Sequence, residues 1–199
     1  MLKKLCIYCG SSAGENPVYA HIARKLGKIL AYKEITLVYG AGNIGIMGIL
    51  ADTVLENNGK VIGIIPELLV EKEVVHAHLT ELHVVKTMHE RKALLSTISD
   101  AFMVLPGGFG TLDEMFEALT WNQLEIISKP VGLLNVNHYF DGLIAFLDNA
   151  TKERFIRSEH RNNLLVEDNE TVLLEKLLSF EPVKVHNKWI DELKVKNKY

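Results

Sequence analysis

Apolar residues along the chain fall into two alternating patterns. Short unbroken runs (LCIY, ITLVY, VIGII, AFMVL and VGLLNV) are rich in Val, Ile and Leu. They read as strands covered on both faces, because a half-exposed strand would alternate apolar and polar positions. Between them lie longer segments whose apolar residues recur every three or four positions, the period of a helix with one buried face. These are PVYAHIARKLGKILAYK, IGIMGILADTVLENNG, MHERKALLSTIS, TLDEMFEALTWNQLEI, HYFDGLIAFLDNATKERF and NETVLLEKLLSF. ELHVV and NLLVED add two shorter strands. Strands alternating with helices predict βαβ units, hence an α/β fold: a Rossmann-like, doubly wound parallel sheet flanked by helices. One such domain is expected over residues 1–180. The lysine-rich segment 181–199, with five Lys and three acids, reads as a tail, disordered or docked as a short amphipathic helix.

In a doubly wound sheet, ligands bind beyond the carboxyl ends of the strands. That rule selects four segments: Gly10-Ser11-Ser12, Gly40 to Gly48, Pro66 to Glu73 and Pro106 to Glu114. GAGNIGIMG matches the dinucleotide pattern G-x-G-x-x-G at Gly40, Gly42 and Gly45. It follows the second strand, however, and no acid ends the next strand to take up a ribose. Close backbone approach to a ligand, with helix packing at Gly45 and Gly48, is the better reading.

PGGFGTLDE is placed to do chemistry. Gly107, Gly108 and Gly110 let backbone N–H groups converge on an anion, Thr111 adds a hydroxyl, and the following helix adds its positive end. Without the lysine of a P-loop, a monophosphate fits better than a triphosphate. A plain structural reading competes for the same residues, since Thr111 and Glu114 have the spacing of a capping box. Upstream, Arg91 in MHERK can reach a phosphate, a ribose or a carboxylate, although an Arg at a helix start is more often solvated.

Charge and composition narrow the partners. The net charge of −3 leaves no basic excess for a nucleic-acid backbone. No apolar run approaches a membrane span, and MLKKLCIYCGSS turns polar too soon for a signal peptide, so a cytoplasmic protein without membrane attachment is expected. Cys6 and Cys9, three apart on a strand, point to opposite faces and read as buried thiols rather than a redox or zinc pair. His76, His78 and His83 lack the spacing of a metal site, so no metal is expected.

PGGFGTLDE together with MHERK resembles the LONELY GUY (LOG) family of cytokinin riboside 5′-monophosphate phosphoribohydrolases, once misannotated as lysine decarboxylases. The family pattern PGGxGTxxE with an upstream Arg-Lys corresponds here to Pro106–Glu114 and Arg91-Lys92, and the likeness runs from about Lys3 to Phe180. The resemblance implies a Rossmann-like homodimer, or a larger homo-oligomer, with its active site near the subunit interface. It implies hydrolysis of the N-glycosidic bond of an N6-modified AMP, releasing a free base and ribose 5-phosphate without metal or organic cofactor. Arg91 and Glu114 take the family's catalytic positions. Glu73, Lys92, Gly107, Gly108, Phe109, Gly110, Thr111 and Thr120 take its nucleotide contacts, and Gly10, Ser11, Gly42 and Met88 join them as further substrate-binding candidates.

The chain departs from the family at Ala41, where GGG is usual, and at QLEIISKP, where QLGIHxKP is common. The first departure predicts a methyl that narrows the approach to the ligand. Two other readings compete with the hydrolase. A nucleotide sensor on the same fold would need no Glu114, and a pyridoxal-phosphate decarboxylase would need a Schiff-base lysine with a partner acid. A general AMP nucleosidase for salvage would use the same residues on a plainer base.

Overall fold

The computed structural model describes residues 2–70 and 75–181. Glu73 and the tail from residue 182 lie outside the described residues. In chain order the elements are β1 (Lys4–Tyr8), α1 (Pro17–Tyr32), β2 (Thr36–Tyr39), α2 (Gly45–Glu56), β3 (Val61–Pro66) and the short α3 (Glu67–Val70). They continue with β4 (Glu81–Val85), α4 (Met88–Ile98), β5 (Ala101–Val104), α5 (Phe109–Gln123), β6 (Val131–Leu134), α6 (Asp141–Lys152), α7 (Ser158–Asn162), β7 (Leu164–Glu167) and α8 (Glu170–Leu178). Every strand predicted from an apolar run is present. Three local features were not foreseen: the short α3, α7, and a 3-10 turn at Val136–His138 that separates β6 from α6.

The seven strands form one sheet in the order β4-β3-β2-β1-β5-β6-β7, with every pairing parallel. The order reverses between β1 and β5, which places the switch-point crevice there. Alternation along β1 divides the core. Leu5, Ile7 and Cys9 pack under α1, α2 and α8 on one face, while Cys6 and Tyr8 pack with α4, α5 and α6 on the other. The two thiols are therefore separated by the sheet, and burial pushes both thiol pKa values far up. They serve as core residues.

Helix starts are marked by polar caps. Asn16 accepts from the Val18 N–H ahead of Pro17, and Asn169 accepts from Thr171 and Val172. A reciprocal cap occurs at α4, where Thr87 accepts from the Glu90 N–H at 3.1 Å and the Glu90 carboxylate accepts from Lys86 at 2.8 Å.

The loop after β2 is pinned against the loop after β1. The Gly10 carbonyl accepts from the Ile46 and Met47 N–H groups, so it serves as the backbone cap of α2. Gly45 sits at φ +62°, and a β-carbon there would overlap the Ser11 backbone. Its place in the fingerprint-like pattern thus reflects loop-to-loop packing. Gly45→Ala is expected to lower unfolding stability by about 3 kcal/mol, with an unchanged denaturant slope in urea melts.

Candidate active site

As far as they lie in the described residues, the four predicted segments begin at the carboxyl ends of strands of one parallel sheet, on the same edge. β5 delivers Pro106, whose carbonyl accepts from the Gly10 N–H at 3.1 Å, and this bond ties the two loops of the switch point together. Gly107 packs so closely that a β-carbon would meet the Thr111 hydroxyl and the Gly10 nitrogen. α5 then begins at Phe109, two residues earlier than the sequence suggested, with Gly108 as a cap that offers no side-chain acceptor.

This start corrects the capping-box reading. Thr111 lies inside the first turn, where it is buried, and Glu114 lies in the second turn, where it approaches Arg91 rather than capping the helix start. The first backbone N–H groups of α5 are left without a side-chain cap, while β-carbons at Gly108 and Gly110 would meet open space. An uncapped helix start bordered by open glycines offers the free donors and the room that an anion needs. A pocket of about 310 Å³ adjoins it, walled by Gly10, Ser11, Gly107, Tyr19 and Tyr139. Tyr139 donates to the Gly107 carbonyl at 2.8 Å and meets Tyr19 edge-on. Neither tyrosine was singled out from the sequence, because nothing in their local pattern distinguishes them from core aromatics.

Arg91 is not a solvated surface residue. It is buried in the first turns of α4, and its guanidinium rests on Gly40, where a β-carbon would collide with it. Its described neighbours are the Met88 sulfur at 3.7 Å and the Glu114 carboxylate at 3.5 Å. Glu114 is only 15% exposed. Burial raises its pKa from an ordinary 4.5 to about 7, against the opposing pull of Arg91. Asp113 and Glu117 push the same way as burial, and Lys92 pulls with Arg91. The protein thus holds a desolvated carboxylate beside a guanidinium at the edge where ligands enter. Such a group interacts strongly with positive charge that develops next to it.

Lys92 lies at 3.2 Å from Asp113 and 3.0 Å from Glu117. Burial alone would lower its pKa, but these two carboxylates prevail and raise it, so the ammonium stays charged. A Schiff-base lysine needs a neutral amine, and Lys92 is held in the opposite state. Burial does lower the pKa of Lys129, but that amine donates to the Ser96 and Thr97 carbonyls at the far end of α4 from Arg91.

Most of the candidates thus fall into two groups. Gly10, Ser11, Gly107, Gly108, Gly110 and Thr111 surround the start of α5, and Arg91, Lys92, Met88 and Glu114 gather about one and a half turns along it. Phe109 is almost fully exposed, and Gly42 is buried and pairs with Val75 rather than facing the pocket. Thr120 stands apart. It donates to the Phe116 carbonyl and lines a separate groove with Leu119, Gln123 and Ile156. The Ala41 methyl does not narrow the approach to the ligand, because it is buried against Gly63 of β3. Among the described residues no three His, Cys, Asp or Glu side chains gather as metal ligands, and no helix is long and apolar enough to cross a membrane.

Residues 47–177 match a family model described as "Possible lysine decarboxylase". A probable cytokinin riboside 5′-monophosphate phosphoribohydrolase, LOGL9 of Oryza sativa subsp. japonica, is 45% identical over 181 residues, covering 91% of this chain and 80% of its own. The chain belongs to the LOG family. LOG5 of Arabidopsis thaliana, named a cytokinin riboside 5′-monophosphate phosphoribohydrolase, is 41% identical over 97% of this chain and 86% of its own. Among solved structures, the molybdenum cofactor binding protein of Rippkaea orientalis superposes with a TM-score of 0.67 at 23% identity, over 90% of this chain and 97% of that one. At that identity the likeness speaks for the fold alone. It confirms the Rossmann-type architecture read from the apolar pattern.

The raised pKa of Glu114 in this LOG-family chain has a consequence for stability. The folded state binds the Glu114 proton more tightly than the unfolded chain does, so stability falls as pH rises from about 4.5 to 7 and stays reduced above that. Glu114→Gln removes this burden and breaks no cap. It is expected to be more stable than the parent by about 1–3 kcal/mol at pH 8, with the difference fading as pH falls through 7 toward 4.5. Thermal melts at pH 5 and pH 8 measure both the sign and the fading.

Proposed function

We propose that the protein is a phosphoribohydrolase acting on nucleoside 5′-monophosphates of the adenine type, with N6-modified AMP as the favoured class. The observation that carries this reading is the buried Arg91–Glu114 pair about one and a half turns below the uncapped start of α5. Gly110 to Glu114 spans four residues, about 6 Å of helix rise, comparable to the reach from a phosphate to the far side of its own ribose. A phosphate held by the N–H groups of Gly108 to Thr111 thereby sets the sugar beside the carboxylate.

The reaction follows from that placement. The bond between C1′ and the base nitrogen breaks and leaves positive charge on the sugar. The Glu114 carboxylate stabilises this charge and accepts a proton from the water that adds to C1′, while the base leaves with the bond's electron pair and takes a proton from solvent, so that Glu114 is restored when it returns its own proton to solvent. Arg91 holds the ribose or phosphate in register and keeps a useful fraction of Glu114 ionised near neutral pH. Water is the only co-reactant, so the step draws on no metal or organic cofactor. Lys92, Met88, Gly10, Ser11 and Glu73 are assigned to substrate contact, and Thr120 to the same role through the family pattern. The enzyme is further proposed to be cytoplasmic and a homodimer or larger homo-oligomer, as the family implies. Two buried free thiols suit a reducing compartment.

A sensor without turnover would gain nothing from a desolvated carboxylate that weakens the fold at working pH, and this favours the hydrolase. The decisive measurement follows base release from AMP and isopentenyl-AMP by chromatography. Glu114→Gln is expected to keep nucleotide binding within a few-fold while kcat falls by about a hundred- to a thousandfold, a loss typical of removing one charge-stabilising group. Release at the parent rate from that variant would remove Glu114 from the mechanism, and binding without release by the parent protein would make it a sensor. With ionised Glu114 required, kcat/KM is expected to rise with pH and level off above about 7. A flat profile from pH 5 to 9 would contradict the requirement.

A further inference from the structure

Ala41 is an alanine in the left-handed region, at φ +64°, and fully buried. An L-residue with a β-carbon holds that conformation only where its surroundings enforce it. The enforcement comes from a segment distant in sequence. Val75 pairs with Gly42 in an antiparallel bridge, and the His76 N–H donates to the Ala41 carbonyl at 3.0 Å. The His76 ring is itself clasped. Nε2 donates to Asp52 of α2 at 2.9 Å, and Nδ1 accepts from the His78 N–H at 3.2 Å, so both ring nitrogens are engaged and one neutral tautomer satisfies them. The ring is buried, whereas Asp52 is more than half exposed. On the far side of the same turn, the Arg91 guanidinium lies against Gly40.

We infer that His76 is a positioning residue: by clasping Asp52 and the Ala41 carbonyl it holds the Gly40–Gly42 turn in its strained shape, and that turn is the wall that sets the Arg91 guanidinium against Glu114. The need for such a wall is visible in the contacts of Arg91. Among the described residues it makes no short hydrogen bond, its Nε–H is buried without a partner, and its approach to Glu114 is a loose 3.5 Å. A guanidinium held this way takes its position from what it rests on. The inference builds on the role proposed for Arg91, but the clasp itself can be tested separately.

The test is a rescue cycle. His76→Gln loosens the clasp. Ala41→Gly makes the turn intrinsically favourable, since glycine adopts positive φ without strain. The variants, singly and together, are assayed for kcat and KM on isopentenyl-AMP. In parallel, the Arg91 Nε–H resonance is followed by NMR, assigned by its loss in Arg91→Lys. His76→Gln is expected to lower kcat about tenfold with a smaller change in KM, and to shift or broaden the Arg91 resonance. Ala41→Gly alone stays close to the parent, and the double variant regains most of both losses. Should His76→Gln fail to fold, Asp52→Ala opens the same clasp from an exposed position and carries the same cycle. A double variant no better than the single one, or an Arg91 resonance unmoved by opening the clasp, overturns the inference. If the parent releases no base, the hydrolase reading falls, and the resonance still decides the clasp.

Discussion

The contact between Arg91 and Glu114 is the constraint around which the ligand edge of the sheet is organised. A carboxylate removed from water at the carboxyl ends of β1 and β2 is costly, and the guanidinium 3.5 Å away offsets only part of the cost, because the Glu114 pKa still rises to about 7. Much of the local architecture serves to keep this pair in place. Gly40 has no side chain, which leaves room for the guanidinium, and the capped start of α4 orients the turn from which Arg91 projects. Lys92 ties α4 to α5 through Asp113 and Glu117, so the helix carrying the cation and the helix carrying the anion cannot separate freely.

Capping is divided between these two helices in a way that suits a phosphate ligand. α4 has its first donors satisfied by Thr87, with Glu90 folding back on the preceding residue. α5 has glycine at the same position and keeps its donors available. A side chain that satisfied them would compete with a phosphate for the same N–H groups. Rigidity comes instead from the rear of the loop, where Gly10 donates to Pro106 and Tyr139 donates to Gly107. The loop is held firmly by its carbonyls while its donors face outward.

Sequence motifs pointed to the candidate site, but two of the local readings they allowed do not hold in the structure. The spacing of Thr111 and Glu114 suggested a cap, yet the cap of that form lies at Thr87 and Glu90. Spacing alone could not separate the two cases, because what decides is where the first helical turn begins. That start depends on Gly107 packing against Gly10, a contact between residues almost a hundred positions apart. Ala41 was expected to crowd a ligand for a similar reason: sequence shows that a methyl is present but not its direction. The contacts of Tyr139 and His76 with the Gly107 and Ala41 carbonyls were not legible either, since each joins residues far apart in the chain.

By itself the sequence determined the α/β class, the alternation of its elements, the edge of the sheet that carries the glycine-rich loops and the family to which the chain belongs. Those properties follow from local periodicity and from short motifs whose residues are neighbours in the chain, where steric and hydrophobic preferences act at close range. Tertiary structure alone decided that Arg91 is buried, that Glu114 faces it rather than its own helix start, and that an alanine holds a left-handed turn beneath the guanidinium. These features arise from desolvation and long-range contact, and neither exists until the sheet has brought β1, β2 and β5 side by side.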